Sequence, residues 1–308
     1  MDKACFASPQ TSSTLPRLFR ALRVSILSLL VALSTWISLG GEIEGSSKLP
    51  TAIKSPWTRI VMAGASVTAG FTESEPLGGP ATAQYRLSRY VEAALLAPHE
   101  PVRNLGSSMF FLRPEDEARQ QIEQALKTKP TLVVGIDFLF WFCYGEGSTD
   151  QLRLQRFEKG LKILEPIECP LVIGDIPDAS AALEGMLTAD QIPTSLAMAA
   201  ANKRLRAWAA ARKQTVVVPL TTFMRTVVSN QELSVHDHTF PAGKTRVLLQ
   251  SDMLHPSAPG CAVLAVTILD AFRLSSPAIS AGDVLWDPKE VYRLALKPAP
   301  GTPARAGN

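Results

Sequence analysis

The chain has 308 residues, 46% hydrophobic, 19% charged and 7% aromatic, a globular composition that excludes collagenous, coiled-coil and mainly disordered states. Thirty-one Lys and Arg against 28 Asp and Glu leave a net charge of +3, too balanced for a protein that binds nucleic acid through a basic surface. Four cysteines (Cys5, Cys143, Cys169, Cys261) without C-x-x-C spacing are too sparse for a disulfide scaffold or a zinc site and read as small buried side chains.

Residues 1–23 form a basic region ending in Arg17, Arg20 and Arg23, and residues 24–41 carry no charge. With Ser38-Leu39-Gly40 as a small-x-small pattern, this is an export signature. Eighteen residues at 1.5 Å each reach about 27 Å, the lower limit of a bilayer span, so a single-pass anchor is the alternative. The expected location is therefore periplasmic, secreted or membrane-anchored through 24–41, with 42–58 as a linker.

From residue 59 onward, short β-branched runs alternate with longer helical patterns. Strands are expected at 59–63 (RIVMA), 131–136 (TLVVGI), 170–173 (PLVI) and 215–220 (TVVVPL), with a weaker one at 101–105. Helices are expected at 84–96, 115–127, 151–167, 194–213 and about 257–274, and 245–250 as a last strand or loop. Interleaved strands and helices imply βαβ crossovers and a mostly parallel sheet in one α/β domain, 59–296, followed by a loose Pro/Ala/Gly-rich tail, 297–308. Parallel strands place Cys143 and Cys169 at opposite ends of that sheet, beyond the reach of a disulfide, and Cys261 inward on the last helix.

Chemistry in such a sheet collects at the carboxyl ends of the strands. After the first strand comes Gly64-Ala65-Ser66-Val67-Thr68-Ala69-Gly70, which either exposes a serine hydroxyl beside backbone N–H groups or is an N-capped turn. Before the last helix comes Ser251-Asp252-Met253-Leu254-His255-Pro256. A carboxylate three residues before a histidine can accept the ring Nδ1–H and leave Nε2 free to take a serine proton. Gly243-Lys244-Thr245 lacks the upstream glycine of a Walker loop, there is no G-x-G-x-x-G, and no cofactor is expected. His236, Asp237 and His238 have no fourth ligand at recognisable spacing, so no metal is expected either. Asp175 and Asp178 read as turn and capping residues, and the aromatic run 138–144 as an acyl pocket or a buried strand extension.

Together, Ser66 and Asp252-x-x-His255 resemble the first and last blocks of the SGNH hydrolases, also called GDSL esterases and lipases. Gly64-Ala65-Ser66-Val67-Thr68 resembles the GDSxT block with Ala65 in place of Asp, and Asn104-Leu105-Gly106-Ser107 the glycine block. Gly135-Ile136-Asp137 resembles the Gly-x-Asn block, with aspartate where that family carries an asparagine. The resemblance implies a flavodoxin-like three-layer α/β/α sandwich, a Ser66–His255–Asp252 triad and an oxyanion hole from Ser66, Gly106 and Asp137. It also implies a carboxylic ester substrate, a small molecule or an acyl group on lipid or glycan. An ionised Asp137 would repel the developing oxyanion, so it is either held protonated and donating, or serves another purpose such as binding the loops. An acyltransferase would use the same residues, and a silent binding protein is the alternative that Ala65 and Asp137 favour.

Overall fold

The computed structural model describes residues 55–145, 149–183, 185–276 and 279–297. The export or anchor segment 24–41, Cys5 and the tail from 298 onward lie outside the described residues.

Five strands form one parallel sheet: β1 (Ile60–Met62), β2 (Arg103–Asn104), β3 (Leu132–Gly135), β4 (Leu171–Gly174) and β5 (Thr215–Val218). Their order, β2-β1-β3-β4-β5, is the flavodoxin-like doubly wound order. Its switch point lies between β1 and β3, where crossovers leave in opposite directions and a crevice opens at the carboxyl ends. The helices are α1 (Ser66–Ala69), α2 (Leu87–Ala94), α3 (Pro114–Lys127), α4 (Phe140–Cys143), α5 (Asp150–Ile163), α6 (Ser195–Ala210), α7 (Leu220–Val228), α8 (Ala258–Ser275) and α9 (Pro288–Ala295). A two-stranded antiparallel hairpin, β6 (Leu233–Val235) and β7 (His238–Phe240), stands apart from the sheet.

Side chains alternate across the strands, and both faces of the central three, β1, β3 and β4, are covered. Ile60, Met62, Leu132, Val134, Val172 and Val218 enter one core with α2, α7, α8 and α9. Val133, Leu171 and Ile173 enter the other with α3, α4, α5 and α6. Burial on both faces is why these strands are continuous apolar runs without polar alternation. Helix α8 is long and apolar enough to cross a membrane by composition, but ten of its residues are buried and several belong to the first core.

The expected strands all occur, with trimmed ends, and the weak one survives only as Arg103–Asn104. The expected helix at 84–96 is a 3₁₀ turn, Pro80–Tyr85, followed by α2, and the 245–250 segment is a 3₁₀ turn, Arg246–Leu248. Thr149, Thr194 and Ser257 cap α5, α6 and α8 with side-chain acceptors, which sets where those helices start. Helix α7 was not expected. Its β-branched content extends the β5 pattern, yet its buried residues Leu220, Phe223, Met224 and Val227 follow helical spacing. The 138–144 run is no strand extension: beyond a turn it becomes α4, packed through Phe140 and Phe142 into the second core. The cysteines Cys143, Cys169 and Cys261 are free.

Candidate active site

Ser66 is the first residue of α1, four residues beyond β1. The turn that delivers it is clamped from several sides. Gln121 on α3 accepts the Gly64 N–H at 2.7 Å through Oε1 and donates through Nε2 to the Gly64 carbonyl at 3.0 Å. Asp137, two residues past β3, accepts from Val67 N at 2.9 Å and Thr68 N at 3.2 Å through Oδ2, and from the Thr68 hydroxyl at 2.6 Å through Oδ1. A Cβ on Gly64 would stand 2.0 Å from Asp137 Oδ1 and 2.6 Å from Thr68 Oγ1, so only glycine lets that carboxyl approach. Gly64→Ala is therefore expected to cost about 1–3 kcal/mol, as overpacking does, read as a lower midpoint in denaturant titration.

The partner segment is equally constrained. Asp252 Oδ1 accepts the N–H groups of Leu254 and His255, both at 3.0 Å, while Oδ2 lies 2.7 Å from His255 Nδ1. Closing this loop over four residues puts Met253 at φ 61°, in the left-handed region. Gln250 fastens the loop, its Nε2 donating to the carbonyls of Phe71 and Pro256, both at 2.9 Å. Phe71 stacks on the imidazole, with ring centroids 3.8 Å apart and planes 18° from parallel. His255 is buried, 2% exposed, and its Nε2 lies 2.8 Å from Ser66 Oγ, joining residues 189 apart in sequence.

The electrostatics give each group a direction. Burial pushes the Asp252 carboxyl up, but hydrogen bonds and charge from His255 and the amides of His255 and Leu254 outweigh it, leaving its pKa below the ordinary value. An ionised Asp252 only accepts, so the ring proton sits on Nδ1 and Nε2 accepts from the Ser66 hydroxyl. Asp137 goes the other way: burial raises its pKa, and the hydrogen bonds from Thr68, Ala65 and Val67 offset this only in part.

Two of the three groups that the resemblance assigns to the oxyanion hole, Gly106 and Asp137, have partners within the protein. Asp137 reaches the site, but both its oxygens are engaged by donors of α1; it braces the serine turn, the second of the two roles open to it. Gly106 N–H donates at 2.8 Å to Asn104 Oδ1. An Asn side chain that accepts the amide two residues on is an Asx turn, and N-x-G carries that signal in the sequence itself. The same Asn104 donates through Nδ2 to Thr68 O at 2.7 Å and to Ser88 Oγ at 3.2 Å, tying β2 to α1 and α2. Ser66 N–H, at the N-terminus of α1, lies outside the set of amides that Asp137 takes. Asn104, Gln121, Phe71 and Gln250 were not anticipated; all but Asn104 act across more than 50 residues of sequence.

Asp175, at the exit of β4, lines the cleft beside Ser66 and accepts from Thr221 N at 2.7 Å at the start of α7, a contact across 46 residues rather than within a local turn. Asp178 Oδ1 likewise accepts from Ser180 N at 2.9 Å. His236 contacts Asp270 at 3.1 Å and Asp237 at 3.2 Å and stacks on Trp286; among the described residues no group of His, Cys, Asp and Glu could hold a metal ion.

No family model matches the chain, and no curated protein matches it in sequence. Among solved structures, it is similar to the lipase/acylhydrolase from Enterococcus faecalis, at 20% identity and a TM-score of 0.49 over 72% of this chain and 100% of that one. An acetylxylan esterase from Geobacillus stearothermophilus, in a catalytic mutant form, is similar at 15% identity and a TM-score of 0.44, over 70% and 94% of the two chains. A GDSL-like lipase from Bacteroides thetaiotaomicron is similar at 14% identity and a TM-score of 0.39, over 71% and 90%.

Proposed function

We propose that the protein is a carboxylic ester hydrolase that works through Ser66, His255 and Asp252. The observation that carries this reading is the unbroken hydrogen-bond chain from Ser66 Oγ to His255 Nε2, 2.8 Å, and from His255 Nδ1 to Asp252 Oδ2, 2.7 Å. In the proposed cycle Ser66 Oγ attacks the acyl carbon while its proton passes to His255 Nε2. The tetrahedral adduct collapses as His255 returns that proton to the departing alcohol, leaving an acyl-enzyme. Water, deprotonated by His255, repeats the sequence and releases the acid. Asp252 holds the ring tautomer and stabilises the imidazolium. Ser66 N–H is the donor for the oxyanion. Each missing donor costs about 10²–10³ in rate, so with two of the three expected donors engaged elsewhere a slow enzyme is expected.

A fluorophosphonate probe tests this. Labelling of wild type between pH 6 and 9 that vanishes in Ser66→Ala and falls in His255→Ala supports a live nucleophile. Absence of labelling across that range supports the silent, glycan- or partner-binding reading, which the occupied Gly106 and Asp137 groups favour. We further propose that the enzyme is exported or membrane-anchored, on the strength of the uncharged segment 24–41 behind three arginines. Recovery of the full chain in the cytosolic fraction would overturn that.

A further inference from the structure

The cleft beside Ser66 is walled by the protein's own core. Ile136, Leu220, Met224 and Leu264 come from the core on one face of the sheet, Phe140 and Ile176 from the core on the other. The cleft thus runs along the carboxyl edge of the sheet, where the two cores meet. Its polar members are already engaged. Asp137 is bound to α1, Asp175 to the Thr221 amide, and Ser66 and His255 to each other. Among the described residues no Lys, Arg, Asn or Gln lines it, so it offers no cationic partner for an anionic head group. The apolar surface continues outward: Trp141 lines the cleft, and Phe111, 41% exposed, lies 5.6 Å from it between ring centroids.

Resting on the esterase reading, we propose that this cleft is an acyl-chain pocket and that the substrates are esters of unbranched hydrocarbon acids longer than acetate. The acyl group stays on Ser66 through both half-reactions, whereas the alcohol departs after the first. The group that remains gains most from an apolar wall, and a seated chain keeps stray water away from the ester carbonyl. Each buried methylene is worth about fourfold in kcat/KM.

The experiment measures kcat/KM of the full chain on p-nitrophenyl acetate, butyrate, octanoate and dodecanoate, and on ethyl acetate and octyl acetate. Octanoate exceeding acetate by at least tenfold is expected, with octyl acetate no better than ethyl acetate. In Met224→Trp the octanoate-to-acetate ratio should fall at least tenfold. Met224→Ala, which keeps the test alive if the larger side chain does not fold, should move the optimum toward dodecanoate. Turnover of acetate with no gain from chain length, or a gain from the alcohol chain alone, overturns the pocket assignment and leaves the esterase reading intact. No turnover of any ester, together with no fluorophosphonate labelling, overturns both.

Discussion

Replacing Asp252 with Asn is expected to lower kcat by about 10⁴, a loss typical when the group that orients a catalytic histidine can no longer accept its proton. The carbonyl of Asn can still take the amides of Leu254 and His255, which now bond to Asp252 Oδ1. Its amide nitrogen would then face His255 Nδ1 and drive the ring proton onto Nε2, where the Ser66 proton has to go. Ser66→Ala should cost at least as much, and the double variant no more than Ser66→Ala alone, because the three groups act as a unit. Steady-state rates on a p-nitrophenyl ester decide this: Asp252→Asn within tenfold of wild type would remove Asp252 from the relay. The lowered pKa of Asp252 carries a stability consequence. A carboxyl depressed in the folded state contributes stability that is complete above its unfolded value of about 3.9 and is lost as pH falls through the lower folded value. The relay therefore stays anionic through the mildly acidic range.

Asp137→Asn is expected to raise kcat by about tenfold, whereas Asp137→Ala should lower it about a hundredfold and destabilise the fold by several kcal/mol. Asparagine has nearly the same shape. Its carbonyl can take Val67 N and Thr68 N, and its amide can donate to Thr68 Oγ1, so all the contacts of the carboxyl have replacements. What disappears is a buried carboxyl that can ionise beside the serine turn. A like charge near the developing oxyanion opposes it, and relief of about 1.4 kcal/mol is tenfold in rate. Alanine instead leaves two buried amides and a hydroxyl without acceptors, at about 1–3 kcal/mol each. The pH sign follows from the raised pKa of Asp137. The folded protein holds that proton at a pH where the unfolded chain has lost it, so the Asp137 contribution to stability declines as pH rises through the window above about 3.9. The stability advantage of Asp137→Asn should therefore grow in urea titrations as pH rises above about 3.9. A loss of activity in Asp137→Asn would mean that the anion itself is needed.

Much of the architecture was legible from residue order. Runs such as Thr131–Ile136 and Thr215–Val218 are apolar on both alternating faces, and that pattern alone calls for a parallel sheet covered twice. Helix α7 was missed because its threonines and valines favour strands, although Leu220, Phe223, Met224 and Val227 already had helical spacing. Packing against β6 and the turn Arg246–Leu248 outweighs that local preference.

The sequence by itself determined what spacing of two or three residues can decide. Asp252 and His255 sit on one turn, so their hydrogen bond is local, and Asn104 and Gly106 form an Asx turn for the same reason, which withdraws an amide that the family resemblance assigned to the oxyanion. Only the tertiary structure decided which groups meet across the chain. It carried His255 to Ser66 over 189 residues and Asp137 to α1 over 70, and it set Gln121 on Gly64 over 57. Those contacts depend on strand order and on helix packing over the carboxyl edge of the sheet. No local pattern encodes that Asp137 arrives there as an acceptor for α1.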